Sequence, residues 1–200
     1  MISIEKTPND LRERKRRLTL DRIAEVGLKL FMENGYEATT LDAIAAASGI
    51  SRRTFFYYLK SKEDVLLAHE SGKFARALRP TFLKQSPKQS PIAVARKTFV
   101  ELAATYETKE SIVADRILRS IETLRLRKEA LLVQAEEVLA GAMYELWPDP
   151  ARRTALRIDA MMAMGALRIA RENWRQEDGA HPLTHYIDEA FDLFDQKLKR

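Results

Sequence analysis

Residues 39–62 read TTLDAIAAASGISRRTFFYYLKSK and carry the pattern of two short helices joined by a tight turn. Ala45 is small, as is needed where two helices cross closely. Gly49, four residues later, permits the turn because glycine adopts backbone conformations that other residues avoid. Ile50 is apolar, so the turn can pack against the first helix. The segment therefore predicts a helix-turn-helix.

Each helix of this segment is preceded by a residue that can cap it. Thr40 stands before the first helix and Ser51 before the second, and either side chain can accept a hydrogen bond from the first turn. Phe55 and Leu59 are expected to form the buried face of the second helix. Its N-terminal turn, Arg52-Arg53-Thr54, is then exposed.

The exposed side chains of the segment suit recognition of double-stranded DNA. Arginine at the start of a recognition helix can donate to O6 and N7 of guanine. Hydroxyl groups and helix N-termini can bind phosphate. The candidate DNA-binding residues here are Thr40, Ser51, Arg52, Arg53, Thr54, Tyr57, Tyr58 and Lys62. The alternative is a plain helical hairpin with a charged surface.

The rest of the chain also has helical periodicity, and its breaks fall at glycines and prolines. A helix carrying Ile23 and Phe31 is expected to end at Asn34-Gly35, and Ser61 can cap a fourth helix that runs toward Pro80. Residues 80–91 are predicted to be a loop. Further helices are predicted near 91–106, 110–119, 121–146, 151–176 and after Pro182. With no hairpin signal and no repeat, the predicted fold class is all-α.

The composition and charge of the chain indicate where the protein functions and what it binds. The 200 residues contain no cysteine and have a formal net charge of +5. The absence of thiols fits a reducing cytoplasm, and we expect a cytoplasmic protein with neither a signal peptide nor a membrane span. Residues 12–17 hold five bases and one acid. Such a cluster suits a polyanion, so Arg16 and Arg17 join the candidate DNA contacts; the alternative is a solvated tail.

The sequence offers little for catalysis or for metal binding. His181, His185 and Asp188 have spacing that suits one helix face, but Pro182 lies between the histidines and no further ligand cluster supports them. There is no glycine-rich phosphate loop and no nucleophile elbow. We therefore expect no enzyme, no metal and no cofactor.

The segment resembles the tetracycline-repressor (TetR) family of bacterial regulators from about Thr19 to Leu67, roughly a quarter of the chain. The matching skeleton is Ile23, Ala24, Leu30-Phe31, Gly35-Tyr36, Thr39-Thr40, Ile44-Ala45, Gly49-Ile50-Ser51, Thr54-Phe55 and Ser61-Lys62-Glu63. The resemblance implies that Thr40, Tyr58 and Lys62 contact phosphate and that residues 52–54 face base edges and nearby phosphates.

The chain departs from the family pattern at two positions. Phe56 stands where the family commonly has a tyrosine, so one phosphate contact is lost unless Tyr57 replaces it. Arg53 stands where many members have a small residue. The basic arm at residues 12–17 is also expected to enter the adjacent minor groove, as short basic arms do elsewhere.

The resemblance further implies an effector pocket in the second part of the chain. Flexible methionine and aromatic side chains suit an apolar cavity, although core packing explains them equally well. The candidate pocket residues are Phe99, Ala103, Ile121, Met143, Trp147, Met161 and Met164.

The apolar faces of the last two helices suit a homodimer seam, with packing within the monomer as the alternative. The candidate interface residues are Ile169, Ile187, Ala190, Phe191 and Phe194.

The whole pattern predicts a ligand-responsive DNA-binding regulator with a basic arm (1–17), a helix-turn-helix domain of three helices (18–70) and a larger helical domain for effector binding and dimerisation (71–200). Its expected partners are a double-stranded operator, a small-molecule effector and a second copy of the chain. Repression is the default of the family. The rivals are an architectural nucleic-acid binder and a helical small-molecule-binding or interaction module.

Overall fold

The computed structural model describes residues 8–198, and within them it contains helices and no strand. This confirms the all-α prediction. The α-helices are α1 (Pro8–Asn34), α2 (Leu41–Ala47), α3 (Arg52–Tyr58), α4 (Lys62–Leu83), α5 (Pro91–Tyr106), α6 (Lys109–Ser120), α7 (Glu122–Leu146), α8 (Arg153–Gln176) and α9 (Leu183–Leu198). A single 3₁₀ turn, Pro150–Arg152, precedes α8.

The helices form two compact units. The first comprises the chain up to Gly72 together with Lys109–Arg125, and the second comprises Lys73–Thr108 and the chain from Leu126 onward. The helix α4 begins in the first unit and ends in the second. Among the helices, α6 belongs to the first unit although it follows α5 in the chain.

Unit 1 is built on the apolar face of α1, which packs against α2 and α6, while α2 packs against α3. Its fully buried side chains come from all four N-terminal helices and include Ile23, Ile44, Phe55 and Val65. Within a helix, the buried residues are spaced so that they lie on one face, as Ile23, Leu28 and Phe31 do in α1. Each helix therefore presents one continuous apolar face to a shared core.

Unit 2 has α5, α8 and α9 packed on one another. Phe99 and Phe191 meet edge to face, with ring centroids 6.2 Å apart. Glu107 accepts hydrogen bonds from Nε1 of Trp174 at 3.2 Å and from the Leu183 N–H at 2.8 Å. One carboxylate therefore joins the end of α5 to α8 and to the start of α9.

The predicted loop over residues 80–91 is shorter than expected, because α4 continues through Pro80 to Leu83. Proline removes one helical hydrogen bond. Around it, however, Leu78 and Phe82 are fully buried, and Arg79 donates to Glu145 from Nε at 2.9 Å and from Nη2 at 2.6 Å. These tertiary contacts stabilise α4 beyond Pro80, where local propensity favours the end of the helix.

The basic cluster at residues 12–17 is a second correction, since it lies within α1 and is not an extended arm. The segment has leucine, arginine, lysine and glutamate, all good helix formers, and Pro8 occupies the first helical position, where proline is tolerated. Residues 11–18 are all exposed. In the described part of the chain, no helix is both long and apolar enough to cross a membrane.

Candidate nucleic-acid interface

Each helix of the helix-turn-helix begins at a capping residue. Thr40 Oγ1 and Ser51 Oγ each accept from a backbone N–H in the first turn of the following helix, both at 3.1 Å. Between them, the Ile50 N–H donates to the carbonyl of Ala45 at 3.0 Å. The two caps act as predicted and set the direction in which α3 leaves the turn.

Gly49 has a φ of +67°, so this position requires a residue that tolerates the left-handed region. A Cβ added there would lie 3.0 Å from Nη2 of Arg22. The exposed side chain of Arg22 on α1 therefore lies against the turn. Sequence reasoning missed this residue because Arg22 lies in α1 and no local pattern connects it to the turn.

The short helix α3 is anchored by one face. Phe55 is fully buried and Leu59 nearly so, as predicted, whereas Tyr57 is 72% exposed. Arg53 is exposed as well, and none of the described residues forms a hydrogen bond or an ion pair with its side chain. Thr54 and Tyr58 are half-buried, and the hydroxyl oxygens of Thr54 and Ser51 are 2.9 Å apart.

Arg52 is held by two other side chains of the interface. Its Nη1 donates to Oδ2 of Asp42 on α2 at 2.8 Å. The guanidinium carbon also lies 5.6 Å from the ring centroid of Phe56. The phenylalanine that replaces the family's tyrosine therefore has a role, because its ring supports a neighbouring arginine.

Lys62 lies against the loop between α1 and α2. Its Nζ donates to the carbonyl oxygens of Tyr36 at 2.8 Å and Glu37 at 3.3 Å, and it lies 4.5 Å from the Tyr36 ring centroid. Only 21% of the side chain is exposed. The ammonium group thus has partners within the protein that compete with the phosphate contact implied by the family resemblance.

The phenol of Tyr36 donates to Oε1 of Glu63 at 3.0 Å. Burial, followed by the hydrogen bond to Glu63 and its charge, raises the pKa of Tyr36 well above the usual tyrosine range. Burial works to raise the pKa of Glu63 too. The hydrogen bonds from its own backbone N–H, from Ser61 and from Tyr36 outweigh it, so the pKa of Glu63 is lowered. The hydrogen bond between Tyr36 and Glu63 therefore joins the loop after α1 to the start of α4.

Arg16 and Arg17 are exposed on the N-terminal turns of α1. Arg16 lies 3.9 Å from Glu13, a weak pair at the surface. Both guanidinium groups can reach a polyanion, because nothing in their surroundings removes them from solvent.

The residues predicted to line an effector pocket differ in burial and in the unit to which they belong. Phe99, Ala103, Met143, Trp147 and Met164 are buried in unit 2. Ile121 lies in unit 1, where it lines a surface cleft of about 510 Å³ with Tyr36 and Ile117. Met161 is a correction: it is 51% exposed, because it lies on the outer face of α8.

The residues predicted to form the dimer interface also differ in burial. Ile187, Ala190 and Phe191 fill the core of unit 2, so they do not reach the surface of the single chain. Ile169 is 48% exposed and Phe194 is half-buried. The sequence pattern could not separate inner from outer positions, because α8 and α9 each carry apolar residues at exposed as well as buried positions, such as Ile169 on α8 and Leu193 on α9.

The histidine pair lies near the start of α9, where the rings of His181 and His185 have centroids 4.7 Å apart. Nε2 of His185 is 3.3 Å from Glu189. Among the described residues, no three histidine, aspartate or glutamate side chains are grouped so that they could hold a metal ion.

The N-terminal helices match a known family of regulators. Residues 18–69 match the model of the family described as bacterial regulatory proteins, tetR family. Residues 18–69 are therefore a DNA-binding domain of the TetR type. The DNA-binding segment of such a domain is the helix-turn-helix, which in this chain consists of α2 and α3.

Individual relatives agree with this assignment. The HTH-type transcriptional regulator TcmR of Streptomyces glaucescens is 46% identical over 93 residues, which cover 44% of this chain and 41% of that protein. The match therefore spans less than half of TcmR. The putative mycofactocin biosynthesis transcriptional regulator MftR of Mycobacterium tuberculosis is 25% identical over 190 residues, 94% of each chain.

One similar solved structure aligns with most of this chain. Thermus thermophilus FadR, a TetR-family transcriptional repressor crystallised with lauroyl-CoA, has a TM-score of 0.56 and 25% sequence identity. The superposition covers 87% of this chain and 92% of that one. The all-helical remainder of the chain thus has the architecture of a known regulator.

Proposed function

We propose that this regulator is a repressor that binds a palindromic operator as a homodimer and leaves it when a small-molecule effector binds. The observation that carries the proposal is the orientation of α3. Phe55 and Leu59 anchor one face in unit 1, and the side chains of Arg53 and Tyr57 project into solvent. A helix presented in this way fits the major groove.

The dimer is supported by the outer face of α8. Ile158, Met161 and Ile169 are each about half exposed, and Gly165 has open space around it. At helical spacing these four positions form one stripe, and the stripe faces away from the buried positions of the same helix. An apolar stripe with a small residue at its centre suits close packing against the same helix of a second copy.

The effector is proposed to bind in unit 2 and to be an acyl-CoA or a similar ligand with an apolar chain. Thermus thermophilus FadR was crystallised with lauroyl-CoA, and it is similar to this chain over most of its length. The helix α4 offers a route for the signal, since Lys62 anchors it in unit 1 and Arg79 anchors it in unit 2. Such a ligand changes operator affinity only if it binds one state of α4 better than the other.

The first experiment selects bound sequences from a random DNA pool with the purified full chain at near-physiological salt. We expect an enriched palindrome with half-sites about one helical turn apart, and affinity that falls steeply as salt rises. Salt-sensitive binding without any enriched sequence would contradict the proposal and would favour an architectural nucleic-acid binder.

The second experiment titrates lauroyl-CoA into the complex of the chain with the selected operator. Release of the DNA at ligand concentrations well below the critical micelle range is expected, with free coenzyme A as the control that lacks the apolar chain. If lauroyl-CoA leaves operator affinity unchanged while another ligand class releases the DNA, the acyl-CoA assignment fails and the repressor assignment stands.

A further inference from the structure

The helix α3 has two adjacent arginines at its start, and their surroundings differ. At about 100° per residue, Arg53 lies about 160° around the helix from the buried Phe55, and Tyr57 lies equally far on the other side. Arg52 lies only about 60° from Phe55. The face that points directly away from the core is therefore the one with Arg53 and Tyr57.

Arg52 is directed sideways toward α2. Its guanidinium is bound by Asp42 at 2.8 Å and lies against the ring of Phe56. If Arg52 swung outward to a base, the carboxylate of Asp42 would lose its partner and would face the phosphate backbone unneutralised. The pair itself is exposed and modest in strength, but the repulsion between Asp42 and a polyanion adds to the cost of breaking it.

Arg53 has neither restraint. Among the described residues, no carboxylate pairs with it and no ring lies against it, so all five of its N–H donors are available. A planar guanidinium on the outer face of a recognition helix can donate to O6 and N7 of guanine at the same time. Arg53 thus has both the direction and the free donors that base recognition needs.

We propose that Arg53 reads a guanine in each half-site of the operator, and that Arg52 is a positioning residue which neutralises Asp42 and supports the surface of α3. This assignment rests on the proposed function, since it concerns the same DNA-binding surface. It goes beyond that function by naming the base and by separating two arginines that sequence reasoning treated alike.

The test compares Arg53→Ala with Arg52→Ala on the operator obtained by selection with the wild-type chain. Binding is measured on that operator and on single-base substitutions through the half-site, at one salt concentration. For Arg53→Ala, we expect the wild-type preference for one guanine, at least about tenfold, to disappear. For Arg52→Ala, affinity should fall by a similar factor on every sequence, with the base preferences kept.

Two further variants separate base recognition from folding. Arg53→Lys keeps the charge but not the two-pronged geometry, so we expect near-normal affinity on random DNA and a reduced preference for guanine. Asp42→Asn releases Arg52 and should leave the guanine preference unchanged. Thermal unfolding of each variant shows whether the domain is folded.

The possible failures are distinguishable. A wild-type chain that enriches no sequence contradicts the proposed function itself. A wild-type motif without guanine in the half-site overturns the assignment of Arg53 alone. The same conclusion follows if Arg52→Ala or Asp42→Asn abolishes the guanine preference while Arg53→Ala keeps it.

Discussion

At the scale of single residues, polar side chains of unit 1 bind backbone carbonyls of the loop between α1 and α2. Lys62 donates to the carbonyls of Tyr36 and Glu37, and the hydroxyl of Thr39 lies 2.8 Å from the carbonyl of Gly35 and 3.2 Å from that of Leu30. The carbonyls of Gly35, Tyr36 and Glu37, which follow α1, thereby gain hydrogen-bond partners. These contacts hold the loop that precedes the helix-turn-helix, together with the packing of the Tyr36 ring against Phe31, with centroids 5.0 Å apart.

The phenol of Tyr36 predicts a specific response to alkaline pH. Its pKa is raised in the folded chain, so its proton stabilises the fold below about pH 10, the usual tyrosine pKa, and that stability is lost as pH rises further. At neutral pH, the free energy of unfolding of Tyr36→Phe should be lower than that of the wild type by about 1 kcal/mol, because the hydrogen bond to Glu63 is lost. Between about pH 9 and 11, the free energy of unfolding should fall less in the variant than in the wild type.

Urea unfolding at a series of pH values measures this difference. Tyr57→Phe is the matched control, because Tyr57 is 72% exposed and its removal should leave the alkaline response unchanged. If the wild type and Tyr36→Phe lost the same amount of stability above about pH 10, the phenol of Tyr36 would not contribute to the alkaline loss of stability.

Ser48 predicts a variant that does not lose stability. Its hydroxyl is buried at the end of α2 and has no hydrogen-bond partner among the described residues. A buried polar group without a partner costs about 1–3 kcal/mol, so Ser48→Ala should leave the free energy of unfolding unchanged or raise it by about 1 kcal/mol. Thr39→Val, which removes a buried hydroxyl that does have partners, should lower it. Equal losses in both variants would argue against this account.

At the scale of elements, the packing of unit 1 depends on a glycine in the middle of a helix. A Cβ at Gly27 of α1 would lie 2.4 Å from Cγ1 of Val65 on α4, and 3.5 Å from side-chain atoms of Ile44 on α2. Three helices therefore meet where α1 has no side chain. The approach is too close for alanine unless α4 shifts.

Gly27→Ala tests this crossing. Alanine favours the helix by up to about 1 kcal/mol, but the overlap with Val65 should destabilise unit 1 by about 1–3 kcal/mol, so we expect a net loss in chemical unfolding. Gly141→Ala in α7, where nothing lies within 4 Å, is the control and should stabilise. Adding Val65→Ala should relieve the overlap, and a Gly27→Ala variant as stable as Gly141→Ala would show that the helices separate without cost.

At the scale of the whole molecule, the outer face of α8 carries three of the exposed large hydrophobic side chains among the described residues of unit 2. Its hydrophobic residues lie on both sides of the helix: the inner ones, such as Leu167, are buried, and the outer ones, Ile158, Met161 and Ile169, are about half exposed. A helix with two apolar faces is typical of an element shared by a core and an interface.

Ile169→Glu is expected to convert a dimer into a monomer. A carboxylate within an apolar seam is costly to bury, and a symmetric contact buries one from each copy. Sedimentation of the wild type at micromolar concentration should give the dimer mass, and the variant should give the monomer mass with its helical content kept. Val133→Glu, at an exposed apolar position on α7, is the matched control. A monomeric wild type, or a dimer that survives Ile169→Glu, would place the interface elsewhere.

The sequence by itself determined the all-α class, the helix-turn-helix and most helix boundaries. These features rest on signals that act over a few residues: the caps at Thr40 and Ser51, the left-handed glycine at position 49, and apolar residues at helical spacing. The errors arose where a local signal was outweighed from a distance. Pro80 did not end α4, because its neighbours are buried and Arg79 is bound to Glu145.

Only the tertiary structure decided what the individual side chains of the interface and of α8 can do. Arg52 and Arg53 are equivalent in the sequence, but Asp42 on another helix holds the first and leaves the second free. Lys62 has a charge that suits phosphate, yet it binds carbonyls of a loop that lies far away in the chain. In α8, hydrophobic character alone cannot say whether Leu167 or Ile169 faces the core. Such differences depend on which distant elements pack together, and no pattern within one segment contains that information.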